Sequence, residues 1–546
     1  MGDIMKTVIQ SIGILFILTC CIFSIGANAK MIDYFAIPGQ YVSSTFVQSN
    51  AISDFDPLCD VQVTFELQKI RSLERKEPQL HVEKKIDALS KPDFYVIVTI
   101  DGVEFRSPVW KNTQYLYDLN WTSTVNVPND KEFVPIRIQL WDWNPGYKKQ
   151  CDISSFYDDK SLLNYDVEIN YSIATGHWFG DDFINSEAWL SDPSGYGRLN
   201  GCDDNSYYQN ERDCELWFDV YQTDSDGDGI PYWTEENVFH TDPTIDNRGW
   251  DNDSDGVPIE WEYKWGYQML YNYHGNLTYY QWIYNPFVWE DHKNLDPDRD
   301  GLDNVEEYMT AQWGSDPFRK DLFIELDQME KDPDGLMVQF PEESKELIAT
   351  AYDSRNIVLH LDDGSMGGGE FIPFTKDTLN RNDLKEYYFQ YFLHGDINNW
   401  RVGVFHYALN VYDAGWAGYV FDNGYTGHLD SLQISSKYHE NYTIHNPIYN
   451  LRRGTLNIQK QREIVYAAAL MHETGHTLNI FNGNTPGCDN GKTVNPLQYD
   501  YWKYGPYKSV MNYRYIYSGM VDYSDGSRGK NDFDDWYNLD LTFFQS

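Results

Sequence analysis

Between residues 224 and 307 one spacing occurs three times: aspartate at positions one, three and five, glycine at six and glutamate at twelve. The copies are Asp224, Asp226, Asp228, Gly229 and Glu235; Asp251, Asp253, Asp255, Gly256 and Glu262; and Asp296, Asp298, Asp300, Gly301 and Glu307. Carboxylates this dense repel one another, so a compact fold can keep them together only around a cation. Calcium takes about six to eight oxygens, and alternating carboxylates, a sharp turn at glycine and a bidentate glutamate one helical turn later form a cage for it. An acidic, unstructured linker would account for one such stretch, but not for a spacing kept three times.

Pro231 and Pro258 stand where a paired calcium-sensor hand would use a backbone N–H to join its partner loop, and proline has none. Thr241-Asp242-Pro243 follows the first loop and Ser315-Asp316-Pro317 the third. With this punctuation the EF-hand-like loops resemble thrombospondin type 3-like or dockerin-like calcium repeats. The resemblance implies that residues 223–318 are a connector stiffened by calcium and loosened without it.

A second chemical signal is Met471-His472-Glu473-Thr474-Gly475-His476. A helix places residues four apart on one face, so His472 and His476 can grip one metal ion, and Glu473 is placed to polarise a water on it. The preceding Gln461 to Leu470 is rich in helix formers, with Ile464, Ala468, Leu470 and Val465 directed to a core. Gly475 costs about 1 kcal/mol relative to Ala inside a helix, which signals a close approach to the backbone there. Two surface histidines on an ordinary helix are the plainer reading of the motif alone.

Downstream lies Ser509-Val510-Met511-Asn512-Tyr513, and the ensemble resembles a metzincin, a zinc endopeptidase with a methionine turn beneath its metal. The order of predicted elements agrees: a strand at Leu322–Leu326, a helix at Glu342–Tyr352, strands at Asn356–Leu361 and Val402–Val411, and an edge strand at Ala417–Phe421. The resemblance covers residues 319–546 and implies an α/β catalytic domain. It implies Met511 as the floor of the zinc site, and Tyr513 as a residue near the metal and the developing oxyanion. Tyr513 is also one of 43 tyrosines in the chain. The chain departs from the metzincin pattern where glycine and a third ligand are expected, since Asn479 and Asn482 occupy those positions. Asn479 suits a left-handed helix end. A neutral amide is a poor zinc ligand, so Asn482, Asp489 and Cys488 all stand as candidates for the third position, with Asp489 and Cys488 chemically better.

Residues 57–222 read as an all-β sandwich, with strands at Val61–Leu67, Phe94–Ile100 and Val134–Asp142. Pro92-Asp93-Phe94 and Leu140-Trp141-Asp142 resemble the calcium-proximal loops of a C2-like domain; a generic β module in which Asp93, Asp142 and Asp152 are turn residues is the competing reading. Neither reading implies lipid binding.

Lys6, the apolar run Ile12–Ile25 and the small residues of Ala27-Asn28-Ala29 form a secretion signal over residues 1–29, followed by a linker at 30–56. Retention of that run would anchor the chain to a membrane. An oxidising exterior permits the pairs Cys202–Cys214 and Cys59–Cys151, leaving Cys488 over. The 84 acidic and 42 basic residues give a formal charge of -42, which excludes nucleic acid as a partner. The expectation is therefore a secreted or cell-surface, multidomain zinc endopeptidase, stabilised by calcium and acting on protein or peptide substrates. The alternative is a non-catalytic adhesion or scaffold protein with a degenerate metal helix. Oligomeric state leaves no mark in the sequence.

Overall fold

In the computed structural model the described residues are 47–48, 61–73, 86, 90–128, 130–154, 165–182, 197–202, 212–271, 277–282, 284–453 and 457–545. The secretion signal, nearly all of the linker, and Cys59 lie outside them.

Alternating apolar residues build the first unit. Its strands are β1 (Val61–Ser72), β2 (Phe94–Ile100), β3 (Val103–Arg106), β4 (Tyr115–Leu116), β5 (Trp121–Val127), β6 (Phe133–Asn144), β7 (Tyr147–Cys151), β8 (Val167–Ser172), β9 (Trp178–Gly180), β10 (Arg198–Asn200) and β11 (Cys214–Gln222). One sheet has the order β9-β8-β6-β2-β3 with β7 on β6, the other β10-β11-β1-β4 with β5 also on β1. Pairing within both is antiparallel. Val63, Phe65 and Leu67 of β1 meet Val96, Val98, Ile138 and Leu140 of the facing sheet in one core, so the unit is a β-sandwich.

One correction arises here. No disulfide joins Cys202 to Cys214; the Cys202 sulfur lies 3.4 Å from a carboxylate oxygen of Asp213. Asp93, Asp142 and Asp152 take backbone N–H groups: Asp142 from Asp93 (2.9 Å), Asp93 from Asn112 (2.7 Å) and Asp152 from Ser154 (3.0 Å). Bonds of this kind suit a turn residue, and the acidic loops at 224–307 make them too, so both readings of these aspartates stand.

The last unit is a mixed sheet covered by helices. Its elements are β12 (Asp321–Met329), α1 (Glu342–Asp353), β13 (Val358–Asp362), β14 (Phe371–Ile372), β15 (Phe405–Val411), β16 (Gly418–Phe421), β17 (Ser431–Ser435), α2 (Ile458–Thr477) and β18 (Pro486–Asp489). Strand order is β13-β12-β15-β17-β16, with β14 also on β12. All neighbours run parallel except β16, which lies antiparallel on β17 at the end of the sheet. Helix α2 starts where Asn457 accepts the N–H groups of Gln459 and Lys460, satisfying two of its unpaired donors. It buries Val465, Ala468 and Leu470 against Ile324 and Leu432 of the sheet and Ile348 of α1. The helix ends with Asn479 at φ 72, the left-handed conformation asparagine tolerates.

The sandwich is docked on this unit by buried ion pairs. Arg71 reaches Asp353 (2.6 Å) and Glu346 (2.7 Å) of α1, and Arg319 meets Glu215 of β11 at 2.6 Å with both side chains buried. Burial alone would raise the Glu215 carboxyl, but Arg319, Lys69 and Arg71 outweigh it and bring the pKa down to about 2. This depressed value contributes stability that is present above the ordinary range near pH 4 and is lost as pH falls toward 2. Replacing Arg319 with Met leaves Glu215 buried without its closest partner, and denaturant unfolding at neutral pH should show a loss of about 3–5 kcal/mol.

Candidate metal centres

Helix α2 carries His472 and His476 one turn apart, with ring centroids 4.9 Å apart. Each ring is oriented from behind: His472 Nδ1 lies 2.9 Å from the carbonyl of Val510, and His476 Nδ1 2.6 Å from that of Ile480. A carbonyl accepts, so each Nδ1 carries the proton and each Nε2 is turned into the site, the usual outer support of a metal-ligating histidine. Between the two Nε2 atoms sits the Asp489 carboxylate, with Oδ1 3.2 Å from His472 and Oδ2 3.3 Å from His476. His472, His476 and Asp489 thus form a group whose ligand atoms all lie within 4.8 Å of one another.

Asp489 arrives there because β18 ends in a tight turn. Gly487 has φ 113, and a Cβ on it would stand 3.0 Å from the Tyr504 ring and 3.1 Å from that of Tyr507. Asp489 itself has φ 52, and its N–H donates to the Met511 carbonyl at 3.2 Å. Of the three candidates for the third ligand, this is the one facing the imidazoles. The Asn482 amide donates to the Cys488 carbonyl at 2.7 Å. Burial pushes the Cys488 thiol well above its ordinary range, which disfavours the thiolate a metal needs.

Met511 explains Gly475, since a Cβ there would lie 2.6 Å from the methionine sulfur. Burial would raise the Asp489 carboxyl, but the two imidazoles hold it far below the usual range. Burial would lower His472, yet Asp489 and Glu473 lift it to about 9. Two imidazoles and a carboxylate converging in this way are a donor set that could hold zinc. Glu473 is buried, which raises its carboxyl, while His472 and His476 oppose the rise. Tyr513 faces the same carboxylate: burial first, then Asp489, push its hydroxyl up, and its ring lies 5.8 Å from that of His472.

Gly418 opens edge strand β16 directly against Glu473. A Cβ on Gly418 would stand 2.4 Å from Glu473 Oε1 and 3.0 Å from the Gln433 carbonyl. Gly418→Val should move Glu473 or the strand, lowering any turnover dependent on Glu473 by about 100-fold. A steady-state assay beside a zinc count, which should stay unchanged, checks this.

The three acidic loops share one geometry. In each, the glycine at position six has positive φ (95, 109 and 102 at Gly229, Gly256 and Gly301). Its N–H donates to the first aspartate, at 2.7, 3.2 and 3.1 Å. The aspartates converge as Asp224/Asp226/Asp228, Asp251/Asp253/Asp255 and Asp296/Asp298/Asp300. Glu262 and Glu307, at position twelve, are buried with neither carboxylate oxygen hydrogen bonded. Glu235 is buried too, with Thr241 Oγ1 donating to it at 3.0 Å.

Sequence reasoning missed the residue that closes each loop. The fifth-position aspartate accepts a backbone N–H from further along the chain: Asp228 from Asn247 (3.3 Å), Asp255 from Glu290 (3.2 Å) and Asp300 from Asp321 (2.6 Å). A signal was there to read. Each closing residue follows a proline by four positions, Pro243, Pro286 and Pro317, each preceded by Asp or Asn. Because Asp321 also begins β12, the third loop is fused to the sheet beneath the histidine helix. The connector is thus packed against its neighbours rather than strung between them.

No protein-family description and no curated protein matches the chain. Solved structures similar to part of it include human GIVD cytosolic phospholipase A2 in complex with methyl gamma-linolenyl fluorophosphonate (13% identity, TM-score 0.17), where the match covers 30% of this chain and 17% of that one. A C2 domain shows 9% identity and TM-score 0.17 over 30% of this chain and 98% of that one. A C2 domain protein from Ramazzottius varieornatus shows 11% identity and TM-score 0.18 over 30% of this chain and 87% of that one. None of these scores reaches a level on which kinship can be argued.

Proposed function

We propose that this chain is a secreted zinc endopeptidase of metzincin-like design, braced by calcium. The observation that carries the reading is the meeting of His472, His476 and Asp489 around one point, with Glu473 beside it and edge strand β16 alongside. Zinc, when bound, supplies Lewis acidity and a water of lowered pKa.

The chain's own residues do the rest. Among the described residues strand β16 is paired on one side only, so its open edge can receive an extended peptide as an added strand. Glu473, adjacent to that edge, takes the proton from the attacking water and passes it to the leaving amine. The Tyr513 hydroxyl, kept protonated by burial and by Asp489, donates a hydrogen bond toward the charge developing on the scissile carbonyl oxygen. His472 and His476 stay oriented through the Val510 and Ile480 carbonyls.

In this reading the loops at 224–235, 251–262 and 296–307 take calcium, and the sandwich, read as C2-like, is a brace held by Arg71 and Arg319 rather than a lipid reader. Substituting the third ligand tests the assignment. Asp489→Ala should lower zinc affinity by about 100-fold or more and abolish peptide cleavage, while Asn482→Ala keeps the metal. Zinc retained in Asp489→Ala, in folded protein, would contradict it.

A further inference from the structure

Behind the histidine helix one buried carboxylate, Asp535, ties together the two turns that shape the candidate zinc site. Its Oδ1 accepts the Tyr507 hydroxyl at 2.7 Å and its Oδ2 the Ser524 N–H at 3.1 Å, and the Ser509 hydroxyl donates to it as well. Burial lifts this carboxyl to about 7, and the bonds from Ser509 and Tyr507 oppose the rise. Both hydroxyls lead to Asp489. The Tyr507 ring is one of the two that a Cβ on Gly487 would strike, at 3.1 Å, so it walls the turn that aims Asp489. Ser509 Oγ accepts the Met511 N–H at 3.0 Å, and the Met511 carbonyl takes the Asp489 N–H at 3.2 Å. Between Ser509 and Met511 lies Val510, whose carbonyl orients His472. Asp489 itself has φ 52, a left-handed conformation that costs a non-glycine residue energy unless its surroundings fix it.

We propose that Asp535 and Tyr507 are positioning residues of the zinc site: one carboxylate, acting through Tyr507 and Ser509, holds the Gly487 turn and the turn at 509–511 in register and so sets Asp489 against His472 and His476. The inference rests on the zinc reading above and adds to it the residues that give the third ligand its place. A second tyrosine–aspartate pair supplies the comparison. Tyr407 donates to Asp327 at 2.7 Å, both side chains buried, in the part of the core formed with Phe323, Tyr388 and Leu409 rather than with α2.

The test is the zinc affinity of the full chain in calcium excess, read by competition with a chromophoric chelator. Tyr507→Phe keeps the ring, removes the hydroxyl, and should weaken zinc by about 10-fold or more. Asp535→Asn should act likewise, and the double variant should be no weaker than the poorer single, because the pair works as a unit. Tyr407→Phe removes an equivalent buried bond, so it should lower the melting temperature by a similar amount and leave zinc affinity unchanged. If Asp535→Asn does not fold, the comparison of Tyr507→Phe with Tyr407→Phe still decides. Zinc affinity unchanged in Tyr507→Phe, or weakened equally in Tyr407→Phe, would overturn the proposal and leave the zinc site standing. No zinc on the folded, unsubstituted chain would instead refute the site itself, and this inference with it.

Discussion

Replacing Glu473 with Gln should lower peptide cleavage by about 100- to 10,000-fold while zinc stays bound. The substitution preserves shape in a buried position, and Glu473 stands outside the group formed by His472, His476 and Asp489. Glutamine cannot hold the transferred proton, so the loss falls on kcat rather than on binding. Equal activity in the variant would remove Glu473 from the proposed mechanism. Zinc lost together with activity would instead make it a structural support of the site.

Removing calcium should produce the largest change in stability. A loop held at about one hundred times its Kd contributes about 2.7 kcal/mol, and with three loops the melting temperature should fall by about 7 °C in chelator. The loss has a pH signature. Burial first, then neighbouring carboxylates, raise Glu235 to about 8, Glu262 to about 10 and Asp253 to about 6, all above their ordinary values. A carboxyl raised in the folded state contributes stability below its unfolded pKa and loses it as pH rises through the folded one. The chelated chain should therefore weaken steadily from pH 5 toward pH 9. The calcium-loaded chain, with its carboxylates ionised and paired, should not. Parallel slopes with and without calcium would show that the loops do not govern stability.

Much of this was legible because local pattern and tertiary packing agree. The alternation at Phe94–Ile100 gives β2 with the same bounds, and the apolar spacing before His472 becomes the buried face of α2. Strand β17 was invisible for a physical reason. Ser431, Gln433 and Ser435 are polar yet buried in a strand flanked on both sides, so the run lacks the apolar signature of a buried strand. The strand expected from Asn356 begins at Val358, since Asn356 takes a left-handed turn at φ 54. In the site, the two histidines and Glu473 follow from helical spacing alone. The choice of Asp489 over Asn482 and Cys488 does not, because it depends on how the Gly487 turn aims β18. Glu290, which closes the second loop, was missed because its local mark, Asn285-Pro286 shortly before it, gains meaning only once the fold brings it to a loop that ends 28 residues upstream.

In the proposed reading one zinc sits between His472, His476 and Asp489 and drives peptide hydrolysis. The most direct measurement is the metal content of the purified full chain, kept in calcium, alongside its cleavage of an unfolded protein such as casein. Cleavage should disappear when zinc is stripped and return with one zinc restored per chain, and the metal should be lost on His476→Ala. A folded, calcium-loaded chain with no zinc and no cleavage would contradict it and favour the adhesion or scaffold alternative.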